Sequence, residues 1–150
     1  MHSSLEPQGL SRSDGKRPDG VTLVPWKKGQ LLVWDATCVD TLAPSHLSLT
    51  SQNAAAAAEN ACKLKHTKYE ALKANHYIFK ALAVETLGPW CQEAKSFIDE
   101  IGDFLIATTG DPKAKHYLYQ RISLCIQRGN AASIRGTLPD ILPMDEFHNL

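Results

Sequence analysis

The sequence lacks the features that mark several common functional classes. Its 16 Lys and Arg balance 16 Asp and Glu, so the chain does not bind nucleic acid through bulk positive charge. No apolar run approaches the length of a membrane span, and residues 1–16 hold no apolar core of a secretory signal. A Gly-rich phosphate loop and a Ser-His-Asp arrangement with a nucleophile elbow are also missing. We therefore expect an intracellular protein, nuclear or cytoplasmic, with no membrane partner.

The four cysteines lack the spacing of a metal-binding or redox motif. Cys38, Cys62, Cys91 and Cys125 form no C-x-x-C pair, and we identify no histidine at zinc-ligand spacing. Each cysteine falls in an apolar or helical context. The pattern predicts reduced, buried thiols and argues against a structural zinc site.

The patterning predicts one folded domain over residues 17–137, between a disordered leader at 1–16 and an irregular acidic tail at 138–150. Within it we predict two strands, a long alanine-rich helix, a buried strand and two further helices. Their ranges are 21–26, 30–41, 53–73, 77–86, about 91–107, and 113 to about 129 or beyond. The order β-β-α-β-α-α indicates an α+β sandwich, a mixed sheet of about three strands packed against three helices.

Two aspartates fall in an apolar hairpin, where burying a charge is costly. In GKRPDGVTLVPWKKGQLLVWDATCVD, residues 15–40, they are Asp19 and Asp35. If Lys28 is the centre of the hairpin loop, Asp19 lies opposite Thr37, and Asp35 projects from the same face. Opposed and diagonal neighbours on one face lie about 5–8 Å apart. Two carboxylates at that spacing suit a hard divalent cation, Mg²⁺ or Mn²⁺.

The same residues permit a plainer interpretation. Pro18-Asp19-Gly20 is a common turn sequence, and Asp35 would then be a strand-end residue satisfied by backbone donors. A slip of one residue in the register would also turn the two aspartates to opposite faces. The hairpin alone leaves both interpretations open.

A lysine interrupts the apolar stripe of the alanine-rich helix. Residues at steps of three and four form one helix face, which we predict to pack against the sheet. Its members are Ala54, Ala57, Ala61, Leu64, Lys68 and Ala71. A buried lysine needs a carboxylate partner, which Asp35 or Asp19 can supply. Alternatively Lys68 lies at the flank with its amine in water, and the inward stripe is rotated toward Leu64, Tyr69 and Leu72.

Five stretches in order carry a resemblance to a known family: RPDG, VWDATCVDT, KHTKY, FKALAVETLG and YQRISLCIQRGNA. They resemble a segment downstream of the reverse transcriptase in animal non-LTR retrotransposons. They are also similar to the restriction-endonuclease-like domain of such elements, which belongs to the PD-(D/E)XK nuclease superfamily. The likeness covers about residues 16–135. It implies cleavage of DNA phosphodiesters by a metal-activated water.

The resemblance assigns roles to individual residues. Asp19 matches the aspartate of the Pro-Asp motif, and Asp35 matches the acidic residue of the (D/E)XK motif, so both would be catalytic metal ligands. Thr37 stands where that motif has lysine, which makes Lys68 the candidate for a relocated catalytic lysine. The superfamily core usually has a helix and a strand before the Pro-Asp strand. Because only a short polar leader precedes Arg17, we expect an incomplete core and a truncated fragment of a longer polyprotein.

Six basic residues are candidates for contacts with DNA phosphates: Lys16, Arg17, Lys27, Lys28, Arg121 and Arg128. The first four flank the predicted hairpin and its proposed metal. The last two share the outer face of the last helix, where a solvated surface is the plainer interpretation.

Three functions are consistent with these features. The first is a Mg²⁺- or Mn²⁺-dependent endonuclease-like domain acting on DNA, active or degenerate. The second is a non-catalytic nucleic-acid-binding remnant of a reverse transcriptase polyprotein, and the third is a small intracellular interaction domain. On the first hypothesis, Asp35→Ala should abolish cleavage and barely reduce folding stability.

Overall fold

The computed structural model describes residues 3–7, 10 and 17–137, which build a mixed four-stranded sheet with helices on both faces. The strands are β1 (Ser3–Leu5), β2 (Gly20–Thr22), β3 (Leu32–Val39) and β4 (Ile78–Glu85). The helices are α1 (Pro44–Thr50), α2 (Ala56–Lys68), α3 (Glu70–Ala74), α4 (Gln92–Thr109) and α5 (Ala114–Thr137). The α+β class is confirmed, although the described residues form more strands and helices than we predicted.

The sheet has the order β1-β2-β3-β4. The first three strands pair antiparallel, and β3 pairs parallel with β4. The helices α1, α2 and α3 connect β3 to β4 along the chain. β3 lies inside the sheet, as its apolar residues on both faces predict. Along β4 the burial alternates, with Phe79, Ala81, Ala83 and Glu85 buried on one face. This face lies against α2, because Phe79 contacts the Tyr69 ring at the end of that helix.

β1 lies within the leader for which we predicted disorder. Its residues Ser3–Leu5 pair with β2, and the Glu6 N–H donates to the Asp19 carbonyl at 2.8 Å. Polar side chains do not prevent this pairing, since an open strand edge offers backbone donors and acceptors to any sequence. A strand therefore precedes the Pro-Asp segment, contrary to the expectation of a bare polar leader. The predicted acidic tail at 138–150 lies outside the described residues.

β2 and β3 pair two residues away from the predicted register. Gly20 lies opposite Trp34 and Val21 lies opposite Val33, whereas the predicted register placed Val21 opposite Asp35. A register shift by an even number of residues leaves each side chain on the same face of the sheet. Asp35 therefore points to the face on which the predicted register placed it.

The shift originates between the hairpin loop and β2, not in the loop itself. Lys27 bridges Gln30, and the two residues between them, Lys28 and Gly29, have φ of 49° and 76°. Two consecutive positive φ angles are typical of the tight hairpin turns that match strand twist. Five residues separate Val21 from Lys27, but only two separate Gln30 from Val33, so the first strand carries the extra residues. Residues 23–26, which follow β2, lie outside the ladder, and this shortens the predicted first strand.

α2 is shorter than the predicted helix, and its inward face is rotated. Ala57, Ala58 and Cys62 are buried, whereas Leu64, which both predicted stripes included, is 63% exposed. Glu85 at the end of β4 fixes the start of the helix, because its Oε1 accepts from the backbone N–H of Ala57 at 3.0 Å and Ala58 at 3.3 Å. A carboxylate at a helix N-terminus satisfies otherwise unpaired donors and complements the helix dipole.

The two C-terminal helices pack against the opposite face of the sheet. α4 begins after its N-cap Cys91 and buries Ala94, Phe97 and Ile98, as predicted. Phe104, which the predicted stripe also contained, is 61% exposed. α5 runs past Gly129 to Thr137, within the prediction of an end at about residue 129 or beyond, since a glycine in an exposed helix costs only about 1 kcal/mol. Among the described residues, no helix combines the length and the apolar character needed to cross a membrane.

A lysine at the start of α5 joins it to α4. Lys115 Nζ lies 2.9 Å from an oxygen of Asp99 and 3.0 Å from an oxygen of Asp103. The hydrogen bond from Lys115 lowers the pKa of Asp99 below its ordinary value. This contact lies at the surface, so salt should weaken it.

Two of the four cysteines are buried and two are exposed. Cys62 and Cys91 are buried, whereas Cys38 and Cys125 are exposed, and all four are free thiols. The prediction of buried thiols is therefore wrong for Cys38, near the end of β3, and for Cys125, on the outer side of α5. An apolar sequence context does not tell whether another element covers the residue.

Candidate functional site

A buried carboxylate on β3 is the centre of the candidate site. Asp35 is only 2% exposed and points toward α2. Its Oδ1 lies 2.9 Å from the hydroxyl of Tyr69, and its Oδ2 forms an ion pair with Lys65. A buried charge needs both a counter-charge and hydrogen-bond donors, and this arrangement supplies both.

The spacing along the α2 chain places both partners over β3. The buried positions Ala58 and Cys62 continue through Lys65 to Tyr69 in steps of four, three and four residues, so the four share one helix face. Tyr69 terminates α2 with a φ of −110°, and its side chain is 2% exposed. The aromatic ring therefore fills the core while its hydroxyl reaches the carboxylate.

The Pro-Asp segment lies beside the same carboxylate. The Tyr69 hydroxyl is also 2.8 Å from the Arg17 carbonyl, so one phenol contacts both the Pro-Asp segment and Asp35. The Asp19 carboxylate accepts the backbone N–H of Ala36, the residue after Asp35, at 2.6 Å. Asp19, just before β2, therefore contacts the backbone next to Asp35, but Asp19 is exposed whereas Asp35 is buried, and that the two carboxylates share one cation stays a prediction.

Glycine follows Asp19 because of close packing. A Cβ at Gly20 would lie 2.1 Å from Cζ2 of Trp34, directly opposite on β3. Pro18 is also fully buried. Pro18 and Gly20 are therefore packed into the sheet, whereas Asp19 between them is exposed.

The lysine that pairs with Asp35 is Lys65, one helical turn before the predicted Lys68. Lys68 lies with its Nζ 4.5 Å from the centre of the Tyr69 ring, a cation–π contact at the border of the site. Because the inward face of α2 is rotated, Lys65 takes the central position. Both lysines belong to the stretch KHTKY that carried the resemblance.

The predicted phosphate contacts lie in different places. Arg17 pairs with Glu6, and Lys27 pairs with Glu100 at 2.5 Å, so both are already engaged. Lys28 is exposed in the hairpin turn, and Lys16 lies outside the described residues.

The other two predicted contacts, Arg121 and Arg128, are exposed on α5. That helix packs with α4 around a cavity of about 370 Å³, lined by Leu82 and Val84 among others. These β4 residues belong to the face opposite Phe79, so the two arginines lie on the far side of the sheet from Asp35.

The donor chemistry of the acid pair is compatible with Mg²⁺ or Mn²⁺. Both ions prefer carboxylate oxygens, and Asp19 and Asp35 supply them from adjoining strands. The Oδ2 atom of Asp35 is buried and has no hydrogen-bond donor among the described residues apart from its ion pair with Lys65. That oxygen is the one that a cation or a protonated amine must satisfy.

A second polar cluster lies at the open edge of β4, and we did not predict it. One ligand atom each of Cys62, His66 and Glu93 lies within 4.8 Å of the others. The His66 Nε2 atom is 2.6 Å from Oε2 of Glu93, and the Cys62 thiol donates to the same oxygen at 3.3 Å. The sequence does contain a signal, since Cys62 and His66 are four residues apart and so share a helix face, but this spacing is not that of a zinc finger.

Burial and hydrogen bonding shift the pKa values of this cluster in opposite directions. Burial and the hydrogen bond to Glu93 raise the pKa of the Cys62 thiol. Burial also acts to raise the pKa of Glu93, but hydrogen bonds from His66 and Cys62 outweigh it and leave that pKa below its ordinary value. Glu93 is therefore a carboxylate near neutral pH, and Cys62 is a thiol.

No protein-family model matches the chain, and no curated protein is found to be similar to it.

Proposed function

We propose that this chain is an endonuclease-like domain of the PD-(D/E)XK type, which cleaves DNA phosphodiesters with Mg²⁺ or Mn²⁺. The observation that carries the proposal is the buried Asp35 carboxylate, paired with a lysine from the next helix and adjoining the Pro-Asp segment. The family motif has its lysine two residues after the acid, where this chain has Thr37. Lys65 supplies an ammonium group to the same carboxylate from α2 instead.

The order of the elements gives further support. A strand precedes the Pro-Asp strand, the acidic strand β3 follows, and the helices α1, α2 and α3 then lead to the parallel strand β4. The strand before the Pro-Asp strand is an element that the resemblance implies and that we expected to be missing. An origin in a retrotransposon polyprotein rests on the motif resemblance alone.

Each residue of the site has a role in the proposed reaction. Asp19 and Asp35 would hold the cation, which supplies Lewis-acid activation of water and of the phosphate. Tyr69 orients the Asp35 carboxylate through its hydroxyl. Lys65 would hold the attacking water in place and offset the negative charge that develops on the phosphate.

The proposed substrate is DNA, met in the nucleus or the cytoplasm. The zero net charge means that binding depends on local cations rather than on the field of the whole chain. Lys65 of α2 is the cation beside the proposed metal, and Lys28 is an exposed cation at the hairpin turn. Such binding should weaken as salt rises, because each phosphate contact releases counterions.

The test is nicking of supercoiled plasmid by the full chain with Mn²⁺ or Mg²⁺. Asp35→Asn should lower the nicking rate by about 100-fold or more, because it removes the charge of a proposed metal ligand while keeping the side-chain shape. Asp40→Asn is the matched control, since Asp40 is an exposed acid just after the same strand. Equal rates for the two variants would refute the proposal.

A non-catalytic nucleic-acid-binding remnant is the second candidate. Two observations favour it: Lys65 already neutralises Asp35, and acidic neighbours engage Arg17 and Lys27. Salt-sensitive DNA binding without metal-dependent nicking by the wild-type chain would support this candidate and exclude the first.

A further inference from the structure

We propose that Cys62, His66 and Glu93 form a binding site for a borderline-soft divalent ion, with Zn²⁺ as the natural occupant. The site is separate from the Asp35 site and does not depend on the proposed nuclease function. Cys62 and His66 project from one face of α2, and Glu93 comes from the first turn of α4. Their ligand atoms already lie within 4.8 Å of one another.

The donor set is what distinguishes this cluster from the Asp35 site. A thiolate, an imidazole nitrogen and a carboxylate oxygen form a mixed set typical of Zn²⁺, whereas Mg²⁺ avoids sulfur. The thiol and the imidazole converge on a single oxygen, Oε2 of Glu93. A divalent ion would replace the proton of the thiol and draw all three donors toward one centre.

Neighbouring groups hold Glu93 in a suitable orientation. Lys80 Nζ lies 3.2 Å from Oε1, and the backbone N–H of Ala81 donates to Oε2 at 3.3 Å. Lys80 therefore occupies one carboxylate oxygen and leaves the other directed at Cys62 and His66. The His66 ring is fixed edge-on against Phe79, with ring centres 5.3 Å apart. Groups that orient metal ligands in this way are a usual part of metal sites.

The site is accessible from solvent, although its sulfur is covered. The side chains of His66 and Glu93 are 27% and 20% exposed, whereas Cys62 as a residue is 7% exposed. An ion can therefore enter from the surface and leave one coordination position to water. A bound ion would connect α2 to α4 across the outer edge of β4, where Glu93 already contacts the backbone of Ala81.

The test uses Co²⁺ as a spectroscopic probe for Zn²⁺ on the metal-free full chain. We expect one equivalent of Co²⁺ to give thiolate-to-metal charge-transfer absorption, which Zn²⁺ then displaces. Cys62→Ser should abolish the absorption. His66→Asn should weaken Co²⁺ binding by about 100-fold or more, which is more than the loss of a residue that only orients a metal ligand usually costs. Cys38→Ser and Cys125→Ser are matched controls at exposed thiols and should bind within about twofold of wild type.

Three results would overturn the proposal. They are absence of thiolate absorption in the wild type, absorption that survives Cys62→Ser, and absorption that is lost with Cys125→Ser. In the first case the three side chains form a hydrogen-bonded cluster only. If Cys62→Ser does not fold, as far-ultraviolet circular dichroism will show, the partly exposed His66→Asn variant carries the test.

Discussion

The ion pair between Asp35 and Lys65 makes a strong prediction for folding stability. Lys65→Met keeps the aliphatic stem and removes the ammonium group, which leaves the carboxylate of Asp35 with the Tyr69 hydroxyl as its donor. The Asp35 side chain is 3% exposed, so water cannot replace the lost partner. Breaking a buried ion pair from one side costs about 3–5 kcal/mol, and we expect the lower half of that range for Lys65→Met.

Removing the charge of Asp35 should destabilise the fold less than removing the charge of Lys65. Asp35→Asn leaves the ammonium of Lys65 without a counter-charge, but the Lys65 side chain is 24% exposed and can be partly hydrated. The amide oxygen of Asn can still accept from Tyr69. We therefore expect a loss of about 1–3 kcal/mol, rather than the small effect that the sequence suggested for Asp35→Ala.

Chemical denaturation of the two single variants and the double variant tests this reasoning. The double variant removes both charges. Its loss in the free energy of unfolding should therefore be about 2 kcal/mol smaller than the sum of the losses in the two single variants. Lys68→Met is the control, and its coupling to Asp35 should be under about 1 kcal/mol because Lys68 stacks on Tyr69. Additive losses for Asp35→Asn and Lys65→Met would refute the ion pair.

Two further predictions concern packing and pH. Gly20→Ala should destabilise the fold by about 1–3 kcal/mol, since its Cβ would overlap the Trp34 ring, whereas Gly129→Ala, which meets no atom within 4 Å, should stabilise α5 by up to about 1 kcal/mol. Equal urea midpoints for these two variants would contradict the packing. The lowered pKa of Asp99 means that its contact with Lys115 stabilises the fold above the ordinary aspartate pKa and is lost as pH falls below about 4. The stability difference between wild type and Asp99→Asn should therefore shrink from pH 6 to pH 3, and a constant difference would show that the contact contributes nothing.

The sequence was most informative where burial follows a simple period. The strand predicted over 77–86 is β4, which an apolar run bounded by turn residues indicated, and the helical period revealed the buried positions Ala94, Phe97 and Ile98 of α4. The α+β class followed from the order of these elements. β1 could not be predicted, because its pairing depends on backbone groups of a distant strand.

The candidate site was only partly predictable. Asp19 and Asp35 were identified because charges are unusual in an apolar hairpin. The choice between Lys65 and Lys68 depended on the rotation of α2 about its axis, which Glu85 at its start and Tyr69 at its end help to set. Contacts so far apart in the chain leave no periodic signal near the lysines themselves.

The most direct test of the central claim is to compare metal-dependent plasmid nicking by Lys65→Met and Lys68→Met. If the Asp35 site cleaves DNA with Lys65 beside the phosphate, Lys65→Met should lose about 100-fold or more in rate, while Lys68→Met stays within a few-fold of wild type. Equal rates for both variants, or a larger loss for Lys68→Met, would contradict the assignment.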